Sequence, residues 1–145
     1  MEWSAKEFQE YAKTGKIPER YQKEEADKKK AKNKFGARKV NNDYGSFDSI
    51  GEYKRYLDLI LKQKAGLITE LKHHTIFILL KKTKEYRAIK YESDFDYKNE
   101  FGEYIVEDYK VRATITQSFK DKCKMMLSVH NIKVRIFVYG EGFIN

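Results

Sequence analysis

The chain has 145 residues and a formal net charge of +8, with 41% hydrophobic and 14% aromatic residues. This length suits one domain with a single core, and the composition excludes wholesale disorder. The basic balance favours a polyanionic partner, usually nucleic acid, with an anionic membrane surface as the alternative. The longest apolar run, residues 75–80, is too short to span a bilayer, and the single cysteine, Cys123, cannot form an internal disulfide. We therefore expect a cytoplasmic protein that does not insert into a membrane.

The N-terminal residues predict a short helical and basic extension. Residues 4–13 have an amphipathic pattern, with a capping box between Ser4 and Glu7 at the start and Gly15 as a stop signal. Pro18 is suited to open a second helix. Residues 28–39 contain no acid and predict either a solvated linker or an arm that binds a phosphate backbone. The basic residues of this stretch are Lys28, Lys29, Lys30, Lys32, Lys34, Arg38 and Lys39.

The remaining elements alternate between helix and strand. Helices are predicted over residues 49–65 and 118–130, opened by caps at Ser49 and Ser118. Strands are predicted over residues 75–80, which read as buried, and over residues 86–97, 104–111 and 132–139. Three consecutive strands favour an antiparallel meander, and the helix that follows favours a crossover to a parallel strand. The expected fold is α/β in the broad sense, a mixed sheet with helices packed on it.

One predicted hairpin carries a chemically informative pair of acids. A turn centred near Phe101 places Asp94 opposite Asp108, to within about one residue, with Cβ atoms roughly 4.5–5.5 Å apart. Facing carboxylates repel unless a cation lies between them, and this spacing suits Mg²⁺ or Mn²⁺. Lys110 shares the face of Asp108, whereas Glu107 points away. Lys110 is thus placed to act on a water or a phosphate. The equally weighted alternative makes Asp94 and Asp108 solvent-facing residues paired with Lys90 and Lys110.

Three further groups have both a functional and a structural interpretation. Glu52, in the first turn of its helix, either points a carboxylate toward the sheet or closes a capping box with Ser49, and spacing alone favours the cap. Lys120, Lys122 and Lys124 form either a solvated helix face or a track for phosphates. An aromatic segment, Trp3, Phe8 and Tyr11, is a candidate dimer or substrate contact, with packing on its own core as the alternative.

Several segments together resemble a known family. They are residues 34–40, 47–56, 64–68, 91–95 and 106–110, followed by the lysine-rich helix and the strand at residues 132–137. In order and spacing they resemble phage and prophage Holliday junction resolvase-like nucleases of the PD-(D/E)XK superfamily, over roughly residues 34–138. The pattern departs at Val111, where the family has glycine after the motif lysine. The resemblance implies an extension over residues 1–33 and a nuclease domain over residues 34–145, with an αβββαβ core.

The resemblance also implies roles for individual residues. The metal-binding aspartate of the superfamily maps onto Asp94, the acid of its (D/E)XK triplet onto Asp108, its lysine onto Lys110 and its helical glutamate onto Glu52. We expect Mg²⁺ or Mn²⁺ to be held by Asp94, Asp108 and the backbone carbonyl of Tyr109. Expected partners are four-way or otherwise branched DNA and a second copy of the chain as a homodimer, in the host cytoplasm if a phage encodes the protein. The competing expectations are a non-catalytic DNA-binding recombination accessory protein and a nuclease for ordinary duplex or flap DNA.

Overall fold

A computed structural model describes residues 3–18 and 38–144 of the chain. These residues form a mixed α+β structure with three α-helices and, as its largest sheet, a mixed sheet of five strands. The chain divides into two compact units, Met1–Leu61 and Lys62–Asn145, and the boundary falls inside the second helix. No helix in the described part of the chain combines the length and the apolar character needed to cross a membrane.

The first unit collects the N-terminal helix and a small hairpin. It contains α1 (Ala5–Thr14), the antiparallel strands β1 (Val40–Asn42) and β2 (Gly45–Phe47), and most of α2 (Ile50–Lys64). The predicted capping box of α1 is confirmed, since Ser4 and Glu7 bond each other's backbone N–H groups, and Gly15 ends the helix with a left-handed φ of 65°. The helix predicted to begin at Pro18 falls on residues outside the described part of the chain.

The aromatic segment of the N-terminus packs inside this first unit. Trp3, Phe8 and Tyr11 are all buried, and the Trp3 ring lies 5.1 Å from that of Phe8 and 5.5 Å from that of Tyr11. The Tyr11 hydroxyl donates a 2.9 Å hydrogen bond to the carbonyl of Lys54 on α2. The segment therefore follows the packing alternative, because its rings are covered by their own chain.

The second unit contains two sheets. Its strands are β3 (Ile68–His73), β4 (Ile76–Leu80), β5 (Ile89–Glu92), β6 (Phe95–Asn99), β7 (Tyr104–Lys110), β8 (Arg135–Val138) and β9 (Gly142–Phe143). The larger sheet has the order β3-β6-β7-β8-β9, and β4 pairs with β5 in a separate two-stranded sheet. A short 3₁₀ helix (Arg112–Thr114) and α3 (Gln117–His130) join β7 to β8, which pair in parallel. The predicted crossover after the β6–β7 hairpin is thus confirmed.

The core of this unit lies where α3 covers β7 and the smaller sheet. Phe119 and Met126 of α3 cluster with Val106 of β7 and with Tyr91 of β5. Thr116, and not Ser118, caps the helix, since its side chain accepts the Phe119 N–H. Leu127, next to Met126 on the same helix, is 50% exposed, so α3 covers the core with a narrow apolar stripe.

The predictions for residues 75–80 and 86–97 are wrong, the first in its burial and the second in its extent. The strand predicted as buried over residues 75–80 is mostly exposed, with Ile76, Ile78 and Leu80 at 56%, 40% and 51%. It belongs to a two-stranded sheet, and only its alternate residues Phe77 and Leu79 contact the core. The single strand predicted over residues 86–97 is instead two strands, β5 and β6, which belong to different sheets. The polar edge strand β3 was not predicted, because its sequence lacks an apolar alternation.

Candidate functional site

The hairpin of β6 and β7 has the predicted register. Phe95 pairs with Glu107 and Lys98 with Tyr104, so the index sum is constant at 202. Continued by one residue, this register sets Asp94, which immediately precedes β6, opposite Asp108. The turn is held by Asn99, whose side chain accepts the N–H groups of Phe101 and Glu103. The hairpin therefore brings the two predicted aspartates together.

A bend between β5 and β6 shapes the site. The N–H of Ser93 donates to the carbonyl of Thr75 over 2.9 Å, and the N–H of His74 donates to the carbonyl of Asp94 over 3.3 Å. These bonds fix the chain where it leaves one sheet and enters the other. In one continuous strand Tyr91 and Asp94 would point to opposite faces. The bend instead lets both act on the surroundings of Asp108, and the sequence did not predict this role for Tyr91.

Asp108 is the most enclosed acid of the site. It is 2% exposed, and its Oδ2 accepts a 2.6 Å hydrogen bond from the Tyr91 hydroxyl. Its Oδ1 lies 2.6 Å from Lys110 Nζ, yet it accepts no hydrogen bond of good geometry from the described residues. The two observations agree if the Lys110 contact is an ion pair and not a directional hydrogen bond. The alternative of a solvent-facing Asp108 is excluded, although its pairing with Lys110 is observed.

Asp94 is held from the backbone of the opposite strand. Its Oδ2 accepts the N–H of Tyr109 over 2.7 Å, and the residue is partly buried. Tyr109 therefore reaches the site through its amide, whereas the metal-binding role expected of its carbonyl stays a prediction. The partner proposed for Asp94 in the solvent-facing alternative, Lys90, is exposed.

Burial, together with the acids of the site, raises the pKa values of two neighbouring groups, Tyr91 and Cys123. Burial raises the pKa of the Tyr91 hydroxyl far above its ordinary value, and the neighbouring Asp108 and then Asp94 raise it further. Burial and Asp108 also raise the pKa of Cys123 to about 11, with Lys110 acting in the opposite direction. Lys110 Nζ lies 4.6 Å from the centre of the Phe119 ring, and its side chain is 21% exposed. The ammonium therefore sits between a buried carboxylate, an aromatic face and solvent.

Glu107 is a buried acid that sequence reasoning did not single out. It is fully buried, and its Oε2 accepts a 2.8 Å hydrogen bond from the Tyr97 hydroxyl. Because strand side chains alternate, Glu107 lies on the face of β7 opposite to that of Asp108. The predicted division of the two adjacent acids between two faces is consistent with these contacts. The sequence signal for Glu107 is Tyr97 on the paired strand. Tyr97 lies opposite Ile105, two residues from Glu107 and therefore diagonal to it on the same face.

Glu52 lies in the first unit, at the start of α2. It is 4% exposed, its N–H donates to Ser49 Oγ over 3.0 Å, and its Oε2 accepts the N–H of Asp48 over 3.0 Å. The capping interpretation therefore holds in modified form, with the Asp48 amide in place of that of Ser49. A catalytic role for Glu52 stays a prediction.

The predicted phosphate-binding residues fall into three sets. Lys28, Lys29, Lys30, Lys32 and Lys34 lie outside the described residues. Arg38 and Lys39 are exposed, and Lys39 forms a 3.5 Å ion pair with Asp48. On α3, Lys120 and Lys124 are exposed and Lys122 is partly so, while Lys124 pairs with Asp121 at 3.5 Å.

The donor atoms of the site suit a hard divalent cation. Carboxylate oxygens are the usual ligands of Mg²⁺ and Mn²⁺, and Asp108 Oδ1 is a buried oxygen that already attracts a cationic group. Across residues 3–18 and 38–144, no three or more His, Cys, Asp or Glu side chains are grouped so that they could hold a metal ion. An ion held here would therefore use the two aspartates and complete its shell with other oxygens.

A protein-family model matches most of this chain, and its description assigns no function. The family described as "Protein of unknown function (DUF1064)" matches residues 32–139, about three quarters of the chain. No curated protein and no solved structure matches.

Proposed function

Because the chain belongs to the DUF1064 family of proteins of unknown function, its activity must be inferred from the site, and we propose that it is a metal-dependent DNA endonuclease. The observation that carries the proposal is the register of the hairpin, which, continued by one residue, sets Asp94 opposite Asp108, together with Lys110 Nζ 2.6 Å from Asp108. A PD-(D/E)XK-type core is part of this proposal. It is supported by the order of α2, the β6–β7 hairpin, α3 and the parallel strand β8.

The roles of the residues follow from their contacts. Asp94 and Asp108 would hold Mg²⁺ or Mn²⁺, and the ion would supply Lewis-acid polarisation of the scissile phosphate. The Tyr109 amide and the Tyr91 hydroxyl keep the two carboxylates oriented, because each donates to one carboxylate oxygen. Lys110 carries a positive charge that can orient the attacking water and stabilise the negative charge that builds up on phosphate.

The substrate we propose is branched DNA, with four-way junctions first. The net charge of +8 favours contacts with the phosphate backbone, which bind without reading bases. One copy of a domain of this size cannot reach two opposed strands of a junction, so a homodimer follows if junctions are the substrate. Glu52 is proposed to orient a water or a second ion.

A non-catalytic DNA-binding accessory protein is the second candidate. The observation that favours it is that both oxygens of Asp108 already contact protein groups, Tyr91 and Lys110. A carboxylate whose two oxygens both contact protein groups can serve as a structural ion pair alone.

Cleavage assays with purified protein separate these functions. A synthetic four-way junction and a linear duplex of the same sequence are incubated with Mg²⁺ and, in parallel, with EDTA. An endonuclease cuts only with Mg²⁺, and a junction-specific one spares the duplex. Asp108→Asn should bind DNA without cutting it, whereas Glu107→Gln, which makes the same change one residue away on the opposite face, should cut. An accessory protein would show no cleavage and equal binding in all three forms.

A further inference from the structure

The loop that joins β4 to β5 concentrates exposed positive charge. It contains four basic residues and one acid, and every residue from 81 to 87 is exposed: Lys81, Lys82, Thr83, Lys84, Glu85, Tyr86 and Arg87. Within the described parts of the chain, none of its basic side chains forms an ion pair, whereas Lys39, Lys98, Lys110 and Lys124 each contact an acid. The charge of this loop, which we term the β4–β5 tip, is therefore available to an external anion.

An aromatic ring stands among these cations. Tyr86 is 69% exposed, yet its backbone is fixed on both sides by Thr83. The Tyr86 N–H donates to Thr83 Oγ1 over 3.0 Å, and the Thr83 N–H donates to the Tyr86 carbonyl over 3.0 Å. A ring presented to solvent on a fixed turn loses little conformational entropy when a partner stacks on it. Rings interleaved with cations are the usual platform for unpaired bases and their phosphates.

The tip lies within reach of the candidate site along one strand. Four Cα–Cα steps lead from Arg87 to Tyr91, so the extended chain between these two Cα atoms spans at most roughly 14 Å. Tyr91 in turn contacts Asp108 directly. Phosphates of one DNA strand follow one another at about 3.4 Å along the helix axis. A strand that passes Asp108 can therefore reach the tip within a few nucleotides.

We propose that the β4–β5 tip binds DNA a few nucleotides from the candidate site, with its basic side chains on phosphates and Tyr86 stacked on an unpaired base. The inference rests on the proposed function for its DNA partner, and it adds a binding element with a preference for strands whose bases are exposed. We favour DNA over a membrane surface because residues 81–87 contain no aliphatic side chain that could enter the acyl region. Leu80, which precedes them, is 51% exposed, so vesicle binding is measured as the competing outcome.

Binding measurements without a divalent cation test this inference separately from cleavage. Fluorescence anisotropy in EDTA gives Kd for a labelled four-way junction and a labelled single strand over a range of salt concentrations. The tip variant replaces Lys81, Lys82, Lys84 and Arg87 by Gln. The matched control replaces four exposed lysines of the first unit by Gln, Lys6, Lys13, Lys16 and Lys54. Circular dichroism establishes that both variants fold.

The inference predicts different results for the two variants. The tip variant should bind the junction at least tenfold more weakly. Because it removes four cations, the slope of log Kd against log salt concentration should fall by roughly three. Both values should change much less in the control. Tyr86→Ala should weaken single-strand binding roughly tenfold, and Tyr86→Phe should bind normally because it keeps the ring.

Other outcomes overturn the inference. Equal losses in the tip variant and the control would assign the effect to net charge alone. Unchanged DNA binding by the tip variant would refute the site even if the wild-type protein cuts DNA. A tip-dependent loss of binding to vesicles of phosphatidylserine and phosphatidylcholine, without a loss of DNA binding, would assign the tip to membranes. If the tip binds DNA as described but no form of the protein cuts, the inference stands and the endonuclease proposal fails.

Discussion

The hydroxyl of Tyr91 donates a 2.6 Å hydrogen bond to Oδ2 of Asp108, and the bond is buried. It joins β5 of the smaller sheet to β7 of the larger one, 17 residues further along the chain. Because the same carboxylate contacts Lys110 through its other oxygen, Tyr91 fixes the direction in which the candidate metal ligand points.

Tyr91→Phe should destabilise the protein and slow the DNA cleavage that we propose. Removal of the hydroxyl leaves a buried carboxylate oxygen without its donor, which costs about 1–3 kcal/mol in the free energy of unfolding. Loss of an orienting partner should lower the cleavage rate roughly 10–100-fold. Urea denaturation and single-turnover cleavage measure the two effects. Tyr139→Phe, at a tyrosine that is 71% exposed and has no proposed role, is the control, and equal behaviour of both variants would contradict the role of Tyr91.

Lys110→Met should be strongly destabilising because it leaves Asp108 buried without a cationic neighbour. Breaking one side of such a pair costs on the order of 3 kcal/mol. Asp108→Asn/Lys110→Met should lose less than the sum of the single variants, since the pair is then removed together. Thermal unfolding should also show that Mg²⁺ stabilises Lys110→Met more than it stabilises the wild type. Additive losses, or no difference in the effect of Mg²⁺, would argue against a cation site at Asp108.

The reactivity of Cys123 should report the charge on Asp108. The folded-state pKa of about 11 lies above the ordinary value of 9.0, mainly through burial and secondly through Asp108. Alkylation by iodoacetamide should therefore be slow at pH 8 and rise toward pH 11, and in Asp108→Asn the rise should occur at lower pH. Since a raised pKa favours the folded thiol, its stabilising contribution is present below pH 9 and lost as pH passes 11. The chain has one cysteine, so the signal is unambiguous.

Glu52→Gln separates the capping role of this residue from its proposed catalytic role. Glutamine keeps an oxygen that can accept the Asp48 N–H, so a purely capping role predicts normal stability and normal cleavage. The proposed catalytic role predicts near-normal stability with a cleavage rate reduced by roughly 100-fold or more. Denaturation midpoints and initial rates, measured on the same preparation, decide between them. If the cleavage rate falls only in proportion to the loss of stability, Glu52 has a capping role and no catalytic role.

The parts of the site that follow from local rules could be predicted from sequence. Alternation along β7 placed Asp108 and Lys110 together, and a constant index sum placed Asp94 opposite Asp108. The cap of α1 could likewise be predicted, because the side chains of Ser4 and Glu7 interact within one helical turn.

The parts of the site that depend on tertiary contacts could not be predicted from the sequence. An alternating sequence over residues 86–97 gives no sign of the bend at Ser93 and Asp94, which depends on bonds to Thr75 and His74. The partnership of Tyr91 with Asp108 follows from that bend and was therefore missed. The apolar run of β4 looks buried because its composition does not reveal that one of its faces remains exposed.

The sharing of one divalent cation by Asp94 and Asp108 is tested most directly by Mn²⁺ binding, followed by electron paramagnetic resonance of the free ion. Wild-type protein should bind Mn²⁺, and Asp94→Asn and Asp108→Asn should each lower the affinity at least about tenfold, since even outer partners of a ligand contribute that much. Glu107→Gln, on the opposite face of β7, should bind as the wild type does. Equal Mn²⁺ affinity in all four proteins would contradict the shared site and, with it, the proposed endonuclease.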